Sequence, residues 1–164
     1  VVQSEKGIGS EFSFSIPYRP AGSTKVKVAA LINEQIIKPI DWSSKKCLLV
    51  DDNKDVLIYL NRILLDTGVT IITARSGFEA IELVKSIPDI DVVLLDMQMP
   101  EMNGIEATKE IRKIRNNLPI IAQTAFIFED DKDIILEAGC DACLIKPIRR
   151  DHLITVMSSF VKAD

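Results

Sequence analysis

From Lys45 onward, short apolar runs alternate with stretches whose apolar residues recur at helical spacing. Cys47-Leu48-Leu49-Val50 is an apolar run that ends in two acids. The stretch from Asp55 to Asp66 then sets Val56, Leu60, Ile63 and Leu64 on one stripe, with Gly68 placed as a C-cap. The same alternation predicts strands over 69–72, 92–95, 119–122 and 142–145. It predicts helices over 78–86 (stopped by Pro88), 105–115, 130–138 (closed by Gly139) and 150–160. The strands are short and apolar throughout, as they are when both faces of a parallel sheet are covered by helices. Right-handed crossovers between such strands give a doubly wound, three-layer α/β domain with a five-stranded parallel sheet.

The stretch before Lys45 has a different texture. Phe12, Phe14 and Ile16 alternate with serine after a Gly7-Ile8-Gly9-Ser10 turn, which is a strand signal, and Pro17 and Pro20 close it. Residues 21–44 have no period, yet Val26, Val28, Leu31, Ile32, Ile36 and Ile37 make them too apolar for a free linker. Part of this stretch is expected to pack on a neighbour. The Gly7-x-Gly9 pair does not make a dinucleotide loop, because no third glycine follows at the required place and no helix opens there.

Composition narrows the function classes. The 164 residues are 47% hydrophobic, which supports a packed core, and the formal net charge of −4 lacks the basic excess of a nucleic-acid footprint. No apolar run approaches the roughly 20 residues of a membrane helix, and no signal peptide is present. Cys47, Cys140 and Cys143 are odd in number and read as reduced thiols of a cytoplasmic protein. The chain starts Val-Val without Met, which suggests a piece of something longer.

The chemistry sits at the strand ends. In open α/β sheets, ligands bind beyond the carboxyl ends of the strands. Here those ends carry Asp51 and Asp52, Asp96, Thr124 and Lys146. A lone strand-end aspartate is most often a turn or helix cap, a lone threonine is plain strand, and a lone lysine is a solvated charge. Five such residues on one edge are a set. Three converging carboxylates repel and call for a cation, and oxygen ligands suit Mg²⁺. With the metal screening it, Asp96 can attack a phosphoryl donor and form an aspartyl phosphate. Lys146 is a point cation suited to a phosphoryl oxygen, and the Thr124 hydroxyl can donate to another.

Leu49-Val50-Asp51-Asp52-Asn53, the run from Leu94 to Gly104 (LLDMQMPEMNG), Gln123-Thr124-Ala125, and Ala138 to Ala142 leading to Lys146-Pro147-Ile148 resemble the response-regulator receiver family. The resemblance covers 45–164. It implies a flavodoxin-like sheet of order 2-1-3-4-5 and a phosphoacceptor in two-component signalling. Asp51 and Asp52 would be the acidic metal pair, Asp96 the phosphoacceptor, and the Gln98 backbone carbonyl a further Mg²⁺ ligand. Thr124 would be the switch hydroxyl and Lys146 the phosphate-binding lysine. Pro147 would follow through a cis bond, and Gly104 would serve a tight turn before the third helix. The partner implied is a phosphohistidine-bearing kinase or transfer domain. The family also implies phosphorylation-dependent homodimers through the fourth helix, the strand after it and the fifth helix, while charge and composition point to no nucleic acid and no direct membrane contact.

One departure stands out. The aromatic switch position, three residues before the lysine, holds Cys143, so coupling to the output face is expected to be weak unless Phe126 substitutes as the moving ring. Residues 2–17 look like the last β-hairpin of a histidine kinase ATP-binding domain, which reads the chain as 1–20 kinase remnant, 21–44 linker and 45–164 receiver. The parent is then a hybrid histidine kinase, cytoplasmic or membrane-anchored elsewhere. The ATP lid, the Asn-rich box and the phosphodonor histidine box are all missing, and His152 is the single histidine, so this piece is expected neither to bind nucleotide nor to phosphorylate itself from ATP. A haloacid-dehalogenase-like phosphatase would need a second acid two residues after the nucleophile, where Gln98 stands. A receiver-like interaction module that takes no phosphate would lack an acid or the lysine, and none is lacking.

Overall fold

A computed structural model describes residues 2–5, 9–12, 40–125 and 129–162. The chain divides into two units, Val1–Ile37 and Lys38–Asp164.

In the first unit, β1 (Val2–Glu5) pairs with β2 (Gly9–Phe12) antiparallel, from Val2 opposite Phe12 to Glu5 opposite Gly9. The hairpin thus starts before the stretch whose alternation signals a strand, and Gly9 and Ser10 belong to the ladder. Phe14 and Ile16 lie outside the described residues.

In the second unit, β3 (Lys46–Val50), β4 (Thr70–Ala74), β5 (Val92–Asp96), β6 (Ile120–Thr124) and β7 (Ala142–Ile145) form one sheet in the order β4-β3-β5-β6-β7. Every pairing in it is parallel. Numbered within the sheet, that order is 2-1-3-4-5, the doubly wound topology expected. The crossovers are α1 (Lys54–Leu64), α2 (Gly77–Ser86), α3 (Gly104–Ile114) and α4 (Glu129–Glu137), and α5 (Arg150–Ser158) closes the chain.

Local chemistry sets the helix starts. The Asn53 side chain caps α1 by accepting from Asp55 N at 2.9 Å, and Ser76 caps α2 by accepting from Glu79 N at 3.1 Å. Asn103 and Glu106 form a full capping box at α3, with the Asn103 side chain accepting from Glu106 N at 2.9 Å and the Glu106 carboxylate accepting from Asn103 N at 3.1 Å. A short 3-10 turn, Leu65–Thr67, tightens the end of α1 before Gly68, whose φ of 75° needs a residue without Cβ.

Period-two alternation splits each strand between two cores. Leu48, Val50, Val93, Leu95, Ile120 and Ala122 pack toward α2, α3 and α4. Cys47, Leu49, Val92, Leu94, Ile121 and Leu144 pack toward α1 and α5. The central strands β5 and β6 are buried at every residue. The edge strand β4 departs from the fully apolar expectation, because Thr70 and Thr73 face solvent on a strand with a single partner. It also begins and ends later than the apolar run suggests. Its limits follow from the ladder with β3, from Thr70 opposite Lys46 to Ala74 opposite Val50.

Trp42 lies within the 21–44 stretch. It is 1% exposed in the α1–α5 core, and its backbone N donates to Thr67 O at 2.7 Å. The end of that stretch therefore builds the floor of the second unit. The amino-terminal edge of the sheet is further held by Arg112 of α3. Its guanidinium donates to Gly139 O at 2.7 and 2.8 Å and pairs with Asp141 at 2.6 Å, and the same Asp141 oxygen accepts Ile120 N at 2.7 Å. With this edge fixed by structural contacts, the opposite edge is where the polar strand ends gather.

Candidate functional site

The carboxyl edge places its polar residues by simple chain continuation. β3 leaves Val50 and delivers Asp51, whose backbone N donates to Ala74 O at 3.2 Å. The Asp51 Oδ1 accepts Asn53 N at 2.9 Å, so one residue shapes the turn and orients its own second oxygen. At the end of β5, Asp96 Oδ1 accepts Gln98 N at 3.1 Å in the same way. Asp51 is 1% exposed, Asp96 is 5% exposed and Asp52 is half-buried. One carboxylate oxygen from each of Asp51, Asp52 and Asp96 lies within 4.8 Å of the others.

Lys146, one residue past β7, reaches into this cluster. Its Nζ is 2.9 Å from Asp51 Oδ2 and 3.0 Å from Asp96 Oδ2. Its backbone N donates to Thr124 O at 2.8 Å, which ties the lysine to the buried end of β6. The Lys146–Pro147 peptide bond is cis.

The electrostatics are those of an acidic excess around one ammonium. Burial pushes the Asp96 carboxyl up, against the opposing pull of the Gln98 amide and the Lys146 ammonium. Burial works to lower Lys146, but hydrogen bonds to Asp51 and Asp96 and attraction to both outweigh it, so the lysine stays charged. Both partners move up because one ammonium is shared. Lys146 gains from two carboxylates, while Asp96 has half a partner and a desolvated position. Three hard oxygen donors with a net negative charge match the donor set of a divalent cation such as Mg²⁺.

The residues singled out in the sequence are thus largely brought together. Asp51, Asp52, Asp96 and Lys146 converge, with Thr124 buried beside them. Gln98 contributes its amide to Asp96 and has an exposed side chain. Cys143 is half-buried, and packs against the α2–α4 core from β7. Phe126 lies outside the described residues. Two residues were missed. Arg75, after β4, donates from Nη2 to Asp52 O at 3.3 Å and so braces the acidic turn from the neighbouring strand. Gln123 is fully buried beside Asp96 in the β5–β6 register, and its amide meets no hydrogen-bond partner among the described residues. Its signal was a polar residue in the apolar run of β6.

A family model described as the response regulator receiver domain matches residues 47–158. The chain is 34% identical over 155 residues to the autoinducer 2 sensor kinase/phosphatase LuxQ of Vibrio parahaemolyticus, covering 93% of this chain and 18% of that protein. Among solved structures, the receiver domain of the sensor histidine kinase PA1611 from Pseudomonas aeruginosa, with magnesium coordinated in its active-site cleft, is 28% identical with a TM-score of 0.66. That match covers 73% of this chain and 98% of the other. The complex of the Saccharomyces cerevisiae histidine phosphotransfer protein Ypd1 with the receiver domain of Ssk1 matches at 26% identity and a TM-score of 0.67, over 71% of this chain and 88% of that one.

Proposed function

The chain belongs to the response regulator receiver domain family, and from that premise we propose that Asp96 takes a phosphoryl group from a phosphohistidine, with Asp51 and Asp52 as its acidic partners and Lys146 as the phosphoryl-binding cation. The chain is a phosphoacceptor module of two-component phosphorelay signalling. What remains is the assignment of its atoms. In the transfer, the N–P bond of the donor breaks and a bond forms between phosphorus and an Asp96 carboxylate oxygen. The electron pair of the N–P bond returns to the imidazole.

The carrying observation is the convergence of three carboxylates within 4.8 Å, two of them bridged by one lysine, at the carboxyl edge of the sheet. Asp51, Asp52 and Asp96, with the Gln98 carbonyl, would hold Mg²⁺. When bound, the ion neutralises carboxylate repulsion and the charge of the incoming phosphoryl oxygens. Asp96 is aimed by the Gln98 amide. Lys146 can leave a carboxylate for a phosphoryl oxygen without moving its backbone, which Thr124 holds. The Thr124 hydroxyl offers a second donor. Calorimetric titration with Mg²⁺ tests the metal set. One ion should bind to the wild type, and Asp52→Ala should weaken it at least tenfold. A variant that binds as tightly as wild type removes Asp52 from the site.

A hybrid sensor kinase as parent is part of the same proposal. The match to LuxQ spans 155 residues, more than residues 45–164 contain, so it takes in part of the stretch that carries the β1–β2 hairpin. Residues 1–20 are then the end of a kinase ATP-binding domain and 21–44 the connection to the receiver. The phosphohistidine would sit in that parent or in a transfer domain. A cytoplasmic setting fits the three free thiols, and no helix among the described residues is long and apolar enough to cross a membrane. Pairing through α4, β7 and α5 is favoured by the exposed Ile134, Leu136 and Ile145. Sedimentation of beryllofluoride-treated protein should give a dimer, and a monomer at high concentration rejects the pairing for this chain.

A further inference from the structure

Lys146 can serve a phosphoryl oxygen only if the loop that bears it is held at a fixed height above the sheet. Its ammonium sits at the end of four flexible carbons, and a site displaced by much more than about 0.5 Å loses productive geometry. The buried Ile148 side chain anchors the loop in the α1–α5 core, but the loop backbone has few hydrogen bonds of its own. Lys146 N is fixed to Thr124 O, but the next residue, Pro147, has no N–H to donate. The following helix, α5, starts at Arg150 with no side-chain cap from Arg149.

The missing anchor comes from α1. The Tyr59 hydroxyl donates to Ile148 O at 2.6 Å, across 89 residues of sequence. Tyr59 is 45% exposed, so burial does not dictate its position. Its ring lies instead over a mainly apolar pocket of about 190 Å³, walled by Val56, Leu60, Lys146, Pro147 and Ile148. The hydroxyl bond closes a ring of contacts. Asp51 leads through the Asn53 cap into α1, α1 carries Tyr59, Tyr59 holds Ile148, and Lys146 returns to Asp51 at 2.9 Å.

We propose that Tyr59 is a positioning residue for phosphoryl transfer, holding Lys146 between Asp51 and Asp96 by tethering the carbonyl of Ile148. The inference rests on the reading of Lys146 as the phosphoryl-binding cation. Tyr59→Phe keeps the ring over the pocket and removes only the donor. One neutral hydrogen bond predicts a maximal rate of phosphorylation by acetyl phosphate about fivefold lower. The Mg²⁺ affinity should not change, because the Tyr59 hydroxyl touches the Ile148 carbonyl and none of the carboxylates that would hold the ion.

A double-mutant cycle separates positioning from general loosening. Lys146→Ala alone should slow transfer strongly, and if it does not, the reading of Lys146 fails independently of Tyr59. On the Lys146→Ala background, adding Tyr59→Phe should have no further effect. A wild-type rate in Tyr59→Phe overturns the proposal, and so does the same fivefold loss with Lys146 already absent.

Discussion

Asp96→Asn will take up no phosphoryl group from acetyl phosphate and Mg²⁺, while the wild type takes up one. The amide matches the carboxylate in size, and its oxygen can still accept the Gln98 N–H that now lies 3.1 Å from Asp96 Oδ1. Lys146 keeps its bond to Asp51 at 2.9 Å. The substitution removes nucleophilicity and one charge, and with the amide oxygen on Gln98 N it also turns the amide nitrogen toward Lys146 Nζ, which loses its 3.0 Å bond to Asp96 Oδ2. Intact-protein mass spectrometry reads the outcome directly, and full incorporation in the variant would move the acceptor elsewhere.

The same variant carries a second sign. Burial holds the Asp96 carboxyl above its ordinary range. A carboxylate raised in this way binds its proton more readily in the folded state than in the unfolded chain. Its ionised form therefore opposes folding at neutral pH, and that effect disappears as pH falls below the usual carboxylate range. In chelator-containing buffer, Asp96→Asn should match or exceed wild-type thermal stability at pH 7, with the difference closing in acid. A variant that is markedly less stable at pH 7 would show that the Lys146–Asp96 pair outweighs the burial.

This contrast explains why so much of the site was legible. Strand ends are where apolar runs stop, and a run that stops in Asp51, Asp96 or Lys146 marks both the element and its chemistry. The β-α alternation also pointed to a doubly wound parallel sheet, since right-handed crossovers leave few arrangements for parallel strands, while the strand order came from the family resemblance. What escaped depends on side chains meeting across the sequence. Trp42 has no periodic neighbours, and only its packing with the residues of α1 and α5 shows it to be core. Arg75 and Tyr59 act on backbone carbonyls, and a carbonyl acceptor has no identity in a sequence. Gln123 follows the apolar Ile120-Ile121-Ala122 and precedes Thr124, at a position where burial is total. A buried amide without a partner costs about 1–3 kcal/mol. Local propensity gives no reason for it, and its place beside Asp96 ties it to the edge of the site.

Gly104 shows the difference between a residue type recognised and a reason understood. The sequence suggests a tight turn before α3, yet Gly104 is not among the glycines with positive φ, which among the described residues are Gly68 and Gly139. Its necessity is steric. A Cβ there would stand 2.4 Å from Asp96 O and 2.7 Å from Met97 Cα, both backbone atoms, and 2.5 Å from Met97 Cε. The methionine tip can move, but the turn that carries Asp96 cannot do so without losing geometry at the site. Gly104 N also donates to Met97 O at 3.2 Å, and α3 is fixed at this end by the Asn103–Glu106 capping box. Gly104→Ala should therefore cost about 3 kcal/mol or more, at the upper end of overpacking penalties. That lowers the thermal midpoint by on the order of 10 °C in a domain of this size. Phosphorylation should fall with it, because the strain is delivered to the backbone of Asp96 itself. Gly77→Ala is the control. Its Cβ would meet the Met102 Cγ and Sδ at 2.9 Å, atoms of a flexible side chain that can turn away, and the Ala107 Cβ at 3.2 Å, which has to give by only a few tenths of an ångström. The two alanine variants should differ widely in midpoint, with Gly77→Ala near wild type. Equal midpoints would mean that the α3 start yields as easily as a methionine tip, and that Gly104 is not what holds Asp96 in place.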